Sequence, residues 1–304
     1  MQIMSLITAL PGAAAQGLIW GIMAIGVYIT FRILDIADLT VDGTLCTGGA
    51  VCIMMMLSGH NVWVSMLVAT GAGLLAGLAT GIFHTFMGIP AILAGILTQL
   101  SLYSVNLKIM GKANQAINVD KFNLLVSLRR VKGVALTQNT LFIVAIMIII
   151  LIAVLYWFFG TELGCSLRAT GCNPSMSRAQ GINTDRNKVL GLMLSNGLVA
   201  LSGALLTQYQ GFADINMGRG SIVIGLAAVI IGEAIFSRIF RNFALKLLSV
   251  VFGSILYYLV LQIVIWMGID TDLLKMLSAL VVAFFLAFPY WKGKYFTKAT
   301  QGGK

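Results

Sequence analysis

From Gly160 to Lys188 the chain reads Gly-Thr-Glu-Leu-Gly-Cys-Ser-Leu-Arg-Ala-Thr-Gly-Cys-Asn-Pro-Ser-Met-Ser-Arg-Ala-Gln-Gly-Ile-Asn-Thr-Asp-Arg-Asn-Lys. This polar stretch lies between two strongly apolar halves. Across its 304 residues the chain is 59% hydrophobic and 10% charged, with a mean hydropathy of +0.95. Soluble domains carry about 25% charged residues, and so apolar a chain cannot hide its surface in a water-facing fold. The fold class is therefore all-α and polytopic in a membrane. Thirty-three glycines against four prolines suit helices that approach closely in lipid.

Apolar runs occupy Leu10–Phe31, Thr44–Leu57, Val62–Phe86, Ala91–Leu107, Leu141–Phe159, Val189–Gln208, Ser221–Phe236, Ala244–Met267 and Leu273–Pro289. They predict eight to ten transmembrane helices in one domain over residues 1–304. The second and seventh runs are short for a span of about 20 residues, and each follows a stretch containing Asp and Gly. Broken or re-entrant helices are expected there. Met1–Leu10 has no basic region and runs into a full span, so a cleaved leader is not expected.

The net charge of +10 does not point to nucleic acid, because the basic residues sit in short loops beside spans. There they report orientation and contact with anionic lipid. Arg168, Arg178, Arg186 and Lys188, then Arg238, Arg241 and Lys246, then a basic tail over 290–304, mark the cytoplasmic side. An odd number of spans puts the N-terminus outside. The loop Gly111–Asn139 runs against this rule, since it carries Lys112, Lys121, Arg129, Arg130 and Lys132 on the outer side. Cys46, Cys52, Cys165 and Cys172 lack the spacing of a metal or redox pair and read as free thiols.

Asp38-Leu-Thr-Val-Asp-Gly-Thr-Leu-Cys-Thr-Gly-Gly-Ala-Val51 is similar to Asp214-Ile-Asn-Met-Gly-Arg-Gly-Ser-Ile-Val-Ile-Gly-Leu-Ala-Ala-Val229. The preceding spans run in opposite directions, which is the pattern of an inverted repeat. Asp38, Asp42 and Asp214 have two readings. They shape a translocation path, together with Asn196, or they cap helices at the membrane surface and pair with Arg32 or Arg219. Glu233 is expected to pair with Arg238. Gln99, Gln208 and His84 are lone polar residues suited to hydrogen bonds between helices.

Within the polar stretch, Gly164–Gly171 reads as a turn-rich lead-in. Asn173 then caps a short helix, Pro174 takes its first position, Ser175–Gln180 forms its body and Gly181 ends it. Such a helix can dock in a groove on a separate protein.

The segment Leu167-Arg-Ala-Thr-Gly-Cys-Asn-Pro-Ser-Met-Ser-Arg-Ala-Gln-Gly-Ile-Asn183 resembles the coupling segment of branched-chain amino acid/ribose-type ABC importer permeases. Gly26–Gly43, Leu201-Ser-Gly-Ala-Leu205 and Gly225-Leu-Ala-Ala-Val-Ile-Ile-Gly232 extend the resemblance over most of the chain. Glu233 and Asp42 depart from the family pattern. The resemblance implies a coupling loop over 160–188, with Arg168, Asn173, Pro174, Ser175, Met176, Ser177, Arg178 and Gly181 facing ATPase subunits. It also implies an extracytoplasmic substrate-binding protein, a second permease copy, and location in the bacterial cytoplasmic membrane. The Asp-Leu-Thr-Val-Asp-Gly form is similar to a subgroup associated with aromatic amino acids, so an amino acid is the expected solute; a sugar or nucleoside permease and an ion-coupled secondary transporter are the alternatives. No P-loop occurs in the sequence, so ATP and Mg are expected on the partner ATPase and no cofactor on this chain. No residue is assigned to catalysis or to a metal.

Overall fold

The computed structural model describes residues 2–119, 122, 124–131, 139–236, 239–240, 242–268, 273, 276, 279–284 and 287. Ten α-helices are drawn on below: α1 (Gln2–Tyr28), α2 (Val41–Leu57), α3 (Val62–Thr85), α4 (Ala91–Met110), α5 (Thr140–Gly160), α6 (Glu162–Cys172), α7 (Pro174–Ala179), α8 (Thr184–Gln210), α9 (Ser221–Phe236) and α10 (Phe243–Trp266). A π-helical turn, Ile29–Ile33, continues α1. Asparagine starts many of these helices. The side chains of Asn61, Asn139, Asn173, Asn183 and Asn242 each accept a bond from a free N–H of the first turn. Gly111 and Gly211, both left-handed, close α4 and α8.

Among the described residues six helices are long and apolar enough to cross a membrane: Ala9–Ile33 and α3, α4, α5, α8 and α10. The shorter apolar helices are α2, of 17 residues, and α9, of 16. They are the short second and seventh runs of the sequence. At about 1.5 Å per residue each reaches about 25 Å, short of a hydrocarbon core of about 30 Å. The ninth run, Leu273–Pro289, lies partly outside the described residues, and the tail 290–304 wholly so.

The helix α8 serves as a ruler for depth. Along it α1 runs antiparallel: Ser195 bonds the carbonyl of Gly26, Ser202 that of Ile19, and Gly12 accepts from Tyr209. Also antiparallel is α3, with Gly81 against Val189 and Gly77 against Leu192. Against this scale α2 starts near the middle, where Thr44 meets Asn196, and ends where Cys52 meets Gln208. It climbs only the far half of the bundle. The second short helix, α9, starts beside Asp42, at the foot of α2, and runs the other way, until Glu233 meets Arg32 at the end of the π turn. The two short helices thus leave one junction in opposite directions. Non-helical chain feeds each of them, residues 34–40 from the near end and 211–220 from the far end. Such broken helices at a midpoint are what an inverted-repeat transporter builds.

Glycine allows the tightest approach here. A Cβ on Gly48 would enter the carbonyl of Ala200, and one on Gly203 would enter that of Leu45. So α2 lies backbone to backbone on α8, as small residues permit in lipid. At the far end β1 (Asn114–Ala116) pairs antiparallel with β2 (Phe212–Asp214), Asn114 opposite Asp214. The long basic loop and the lead-in to α9 therefore share one end.

Two expectations are corrected. Gly164–Gly171 is not turn-rich but lies within α6, a helix capped by Thr161. Its glycines are contact points: Cβ atoms there would strike Phe158 and Ile33 backbone. Glu233 pairs with Arg32, Nε to Oε1 at 2.9 Å, so Arg32 is taken by a glutamate rather than by a nearby aspartate. Arg238 lies outside the described residues. The four cysteines are free thiols, Cys46 and Cys52 buried, Cys165 and Cys172 exposed.

Candidate functional site

The junction between the short helices is polar throughout. Asp38, only 3% exposed, accepts from the backbone N–H of Thr40 at 2.9 Å through Oδ1 and from Asn196 Nδ2 at 2.7 Å through Oδ2. Asn196 in turn accepts from the Thr44 hydroxyl at 2.7 Å. The Thr40 hydroxyl shares a hydrogen bond with Thr80 at 2.7 Å, and Thr80 donates to Thr98 at 2.9 Å. One connected network thus joins α2, α3, α4 and α8. A carboxyl group at mid-depth needs such partners, because hydrocarbon supplies none.

Asp42 faces the other short helix. Its Oδ1 accepts from the Ser221 hydroxyl at 2.9 Å and from the N–H of Ile222 at 3.0 Å, and its Oδ2 accepts from the N–H of Gly220 at 2.9 Å. A carboxylate on the free N–H groups of α9 also meets the positive end of that helix dipole. Asp214 closes a local turn, its Oδ1 accepting from the N–H of Asn216 at 2.7 Å, while its carbonyl takes the Cys46 thiol at 3.5 Å. Of the four path residues expected from sequence, the structure joins Asp38 to Asn196. It gives Asp42 to the start of α9 and leaves Asp214 at the edge of the ribbon.

Beside Asp42 lies a cavity of about 390 Å³, lined also by Gln99, Tyr103 and Asn106 of α4 and by Arg219 of the turn before α9. Tyr103 and Asn106 have no place in the sequence reading, which takes Gln99 as a lone hydrogen-bonding residue and Arg219 as a partner for an aspartate. A signal was present in the composition of α4. Both α4 and α5 are only 22% buried, yet the mean hydropathy of α5 is 3.1 and that of α4 is 1.3. The helix α4 bares Ser101, Ser104, Lys108 and Tyr103.

At the near end α7 is built as its sequence demands. Asn173 Oδ1 accepts from the N–H of Met176 at 3.0 Å, Pro174 sits in the first turn, and Gly181 follows in the left-handed region at φ 80°. Ser177 is buried and donates to the Asn173 carbonyl at 3.0 Å. Pro174, Ser175, Met176 and Arg178 are exposed. Arg178 is tethered from behind by Thr184 at 2.8 Å and by Asp185 at 3.9 Å. Arg168 is turned away from α7. It donates to the Phe159 carbonyl at 2.9 Å at the end of α5 and stacks over the Phe243 ring. Among the described residues no cluster of His, Cys, Asp or Glu could hold a metal ion.

A family model described as the permease component of branched-chain amino acid transport systems matches residues 10–286. The tyrosine transport system permease protein of Clostridioides difficile is 38% identical over 272 residues, 90% of this chain and 88% of that protein. A fructose import permease protein of Bifidobacterium longum is 25% identical over 246 residues, 81% of this chain and 67% of that protein. An autoinducer 2 import system permease protein of Yersinia pseudotuberculosis is 29% identical over 230 residues, 72% of this chain and 60% of that protein. No solved structure matches. With its apolar helices and this match over most of its length, the chain belongs to the branched-chain amino acid and sugar ABC permease family and is a multi-pass protein of the bacterial cytoplasmic membrane.

Proposed function

We propose that the chain is the transmembrane subunit of an ABC importer for an amino acid, and that two copies enclose the path between the open faces of α4. The observation that carries the placement is the contrast between α4 and α5, equally uncovered but differing in mean hydropathy, 1.3 against 3.1. Serines, Lys108 and a charged cavity are costly against lipid tails, whereas a water-filled path between two copies accommodates them. The tyrosine permease among its relatives supports an amino acid as solute. Family membership displaces the ion-coupled secondary transporter.

In this reading an extracytoplasmic binding protein delivers the solute at the β1–β2 end, and ATPase subunits bearing ATP and Mg engage α7 at the other. Movement of α7 reaches the junction through α8, on which both sit. The chain itself catalyses no reaction. Its lipid contact runs along α5.

Two experiments test this. Ser104→Cys, on α4, should react with a membrane-impermeant thiol reagent in the assembled complex, while Ile150→Cys, also exposed but on α5, should not. Equal protection of the two would return α4 to the lipid and sink the placement. Arg178→Glu should lose the ATPase on co-purification while the permease remains folded. An ATPase that stays bound would remove α7 from the contact.

A further inference from the structure

Arg168 carries a charge that no acid meets. Its Nη2 donates to the Phe159 carbonyl at 2.9 Å and to Cys165 Sγ at 3.3 Å, and its guanidinium lies over the Phe243 ring, 5.8 Å from the centroid. Among the described residues no carboxylate comes within ion-pair distance of it. A guanidinium has five N–H donors in a planar fork, and among the described residues those on Nε and Nη1 have no protein acceptor. Arg168 lines a cavity of about 520 Å³ at the near end of the bundle, between the last turn of α5 and the starts of α6 and α10. Tyr156, Trp157, Phe159 and Phe243 make much of the remaining wall. Thr161 and Asn242 complete it, their side-chain oxygens already spent on capping α6 and α10.

The surface beside the cavity narrows the class of ligand. Trp157 is 70% exposed and Tyr156 49% exposed, both in the last turn of α5. Aromatic side chains with a polar edge gather at the headgroup level of a bilayer. From Trp157 an apolar stripe runs back along the helix through Val154, Ile150 and Ile146, three and four residues apart and all exposed. At about 1.5 Å per residue the stripe is about 16 Å long, close to half of a hydrocarbon core of about 30 Å. That is the depth an acyl chain occupies in one leaflet. A cation at the headgroup level above a leaflet's length of apolar surface fits a phospholipid. A zwitterionic headgroup would bring its ammonium group to a wall without a carboxylate, so the complement is a lipid with net negative charge.

We propose that this cavity seats the headgroup of an anionic phospholipid of the cytoplasmic leaflet, with the Arg168 guanidinium donating to its phosphate and an acyl chain lying along Trp157, Val154, Ile150 and Ile146. Arginine holds phosphate through paired, charge-assisted bonds and keeps its charge throughout. Basic pockets on the cytoplasmic side of membrane proteins recognise such headgroups. The inference rests on the reading that α5 meets lipid, and goes beyond it by naming a site. The seat is joined to the ATPase side, because Arg168 belongs to α6 and Asn173 both ends α6 and caps α7. A bound lipid therefore steadies the segment that leads to α7.

The test is native mass spectrometry of the detergent-solubilised complex of permease and ATPase, delipidated and then titrated with phosphatidylglycerol or phosphatidylethanolamine. The wild type should bind phosphatidylglycerol tightly, one per permease chain, and phosphatidylethanolamine more weakly. Arg168→Gln should weaken phosphatidylglycerol binding roughly tenfold or more, the effect of losing one charged hydrogen bond, and Arg168→Lys should restore part of it. Trp157→Ser, at an exposed position, should weaken it while the complex stays assembled. Arg186→Gln, an exposed basic position outside the cavity, should bind as the wild type does. Equal binding of the two lipids, or equal losses in Arg186→Gln and Arg168→Gln, would reduce the contact to general surface charge and overturn the seat. Displacement of the lipid by millimolar inorganic phosphate would make this a site for the free anion and also overturn it. If Arg168→Gln fails to assemble, Trp157→Ser decides, and unweakened binding there sinks the proposal. Labelling of Ile150→Cys by the impermeant thiol reagent overturns the placement of α5 in lipid and the seat with it. An unlabelled Ile150→Cys with undiminished lipid binding in Arg168→Gln overturns the seat alone.

Discussion

Asp42→Ala should abolish uptake and lower stability by about 3 kcal/mol, because three donors at the start of α9 lose a charged acceptor at once. Hydrogen bonds to charged groups contribute about 1.5–3 kcal/mol each, and the sum is reduced because water reaches the exposed N–H of Gly220. Asp42→Asn keeps one acceptor oxygen for Ser221 and Ile222 but turns an amide donor on the N–H of Gly220, so about half of that loss should remain. Thermal denaturation of the detergent-solubilised protein gives the stability, and uptake in cells gives the function. If Asp42→Ala melts like the wild type, the junction is not held by this carboxylate. If it melts early and still transports, the junction is structural and not part of the moving path.

Gly48→Val should be at least as damaging. The new side chain would enter the Ala200 carbonyl, and no flexible neighbour can yield, because the obstacle is the backbone of α8. Overpacking costs about 1–3 kcal/mol where side chains can move. Backbone against backbone should reach the upper end of that range. Gly203 faces the Leu45 carbonyl in the same interface, so a shift of α2 along α8 offers no relief. Gly71→Ala is the control. That glycine lies inside α3 with open space where a Cβ would sit, and the change should be neutral or stabilise by up to about 1 kcal/mol. Size-exclusion profiles after a temperature series distinguish the two. Equal melting would mean that α2 and α8 do not meet as closely as the structure places them.

What could be read in the sequence was local. The cap at Asn173, Pro174 behind it and Gly181 at the end of α7 all act within a few residues, so spacing alone revealed them. The short runs at α2 and α9 were also visible, because span length is a property of a contiguous segment. Partnerships across the chain were hidden. Arg32 and Glu233 are 201 positions apart, and Arg238, five positions from Glu233, was the obvious alternative. Gly164 and Gly171 looked like turn residues because glycine has two uses, freedom of φ and absence of a Cβ; here the second prevails and α6 continues through both. The cavity was missed because Gln99, Tyr103 and Asn106 recur along α4 at helical spacing, and Arg219 completes the set only through the fold.

The junction also sets a timetable for synthesis. Asp38 waits for Asn196, 158 residues later, and Asp42 waits for Ile222, 180 residues later. At about 5–20 residues per second a ribosome needs roughly 10–35 seconds to cover such a distance. During that interval α2 has emerged with Asp42 unmet and with Asp38 before it held only by the N–H of Thr40, and the insertion machinery or its aqueous channel must shelter them. Release into lipid is safe only once α8 and then α9 arrive. The nascent permease is thus held open by its own acids and sealed by one of the last helices to be made.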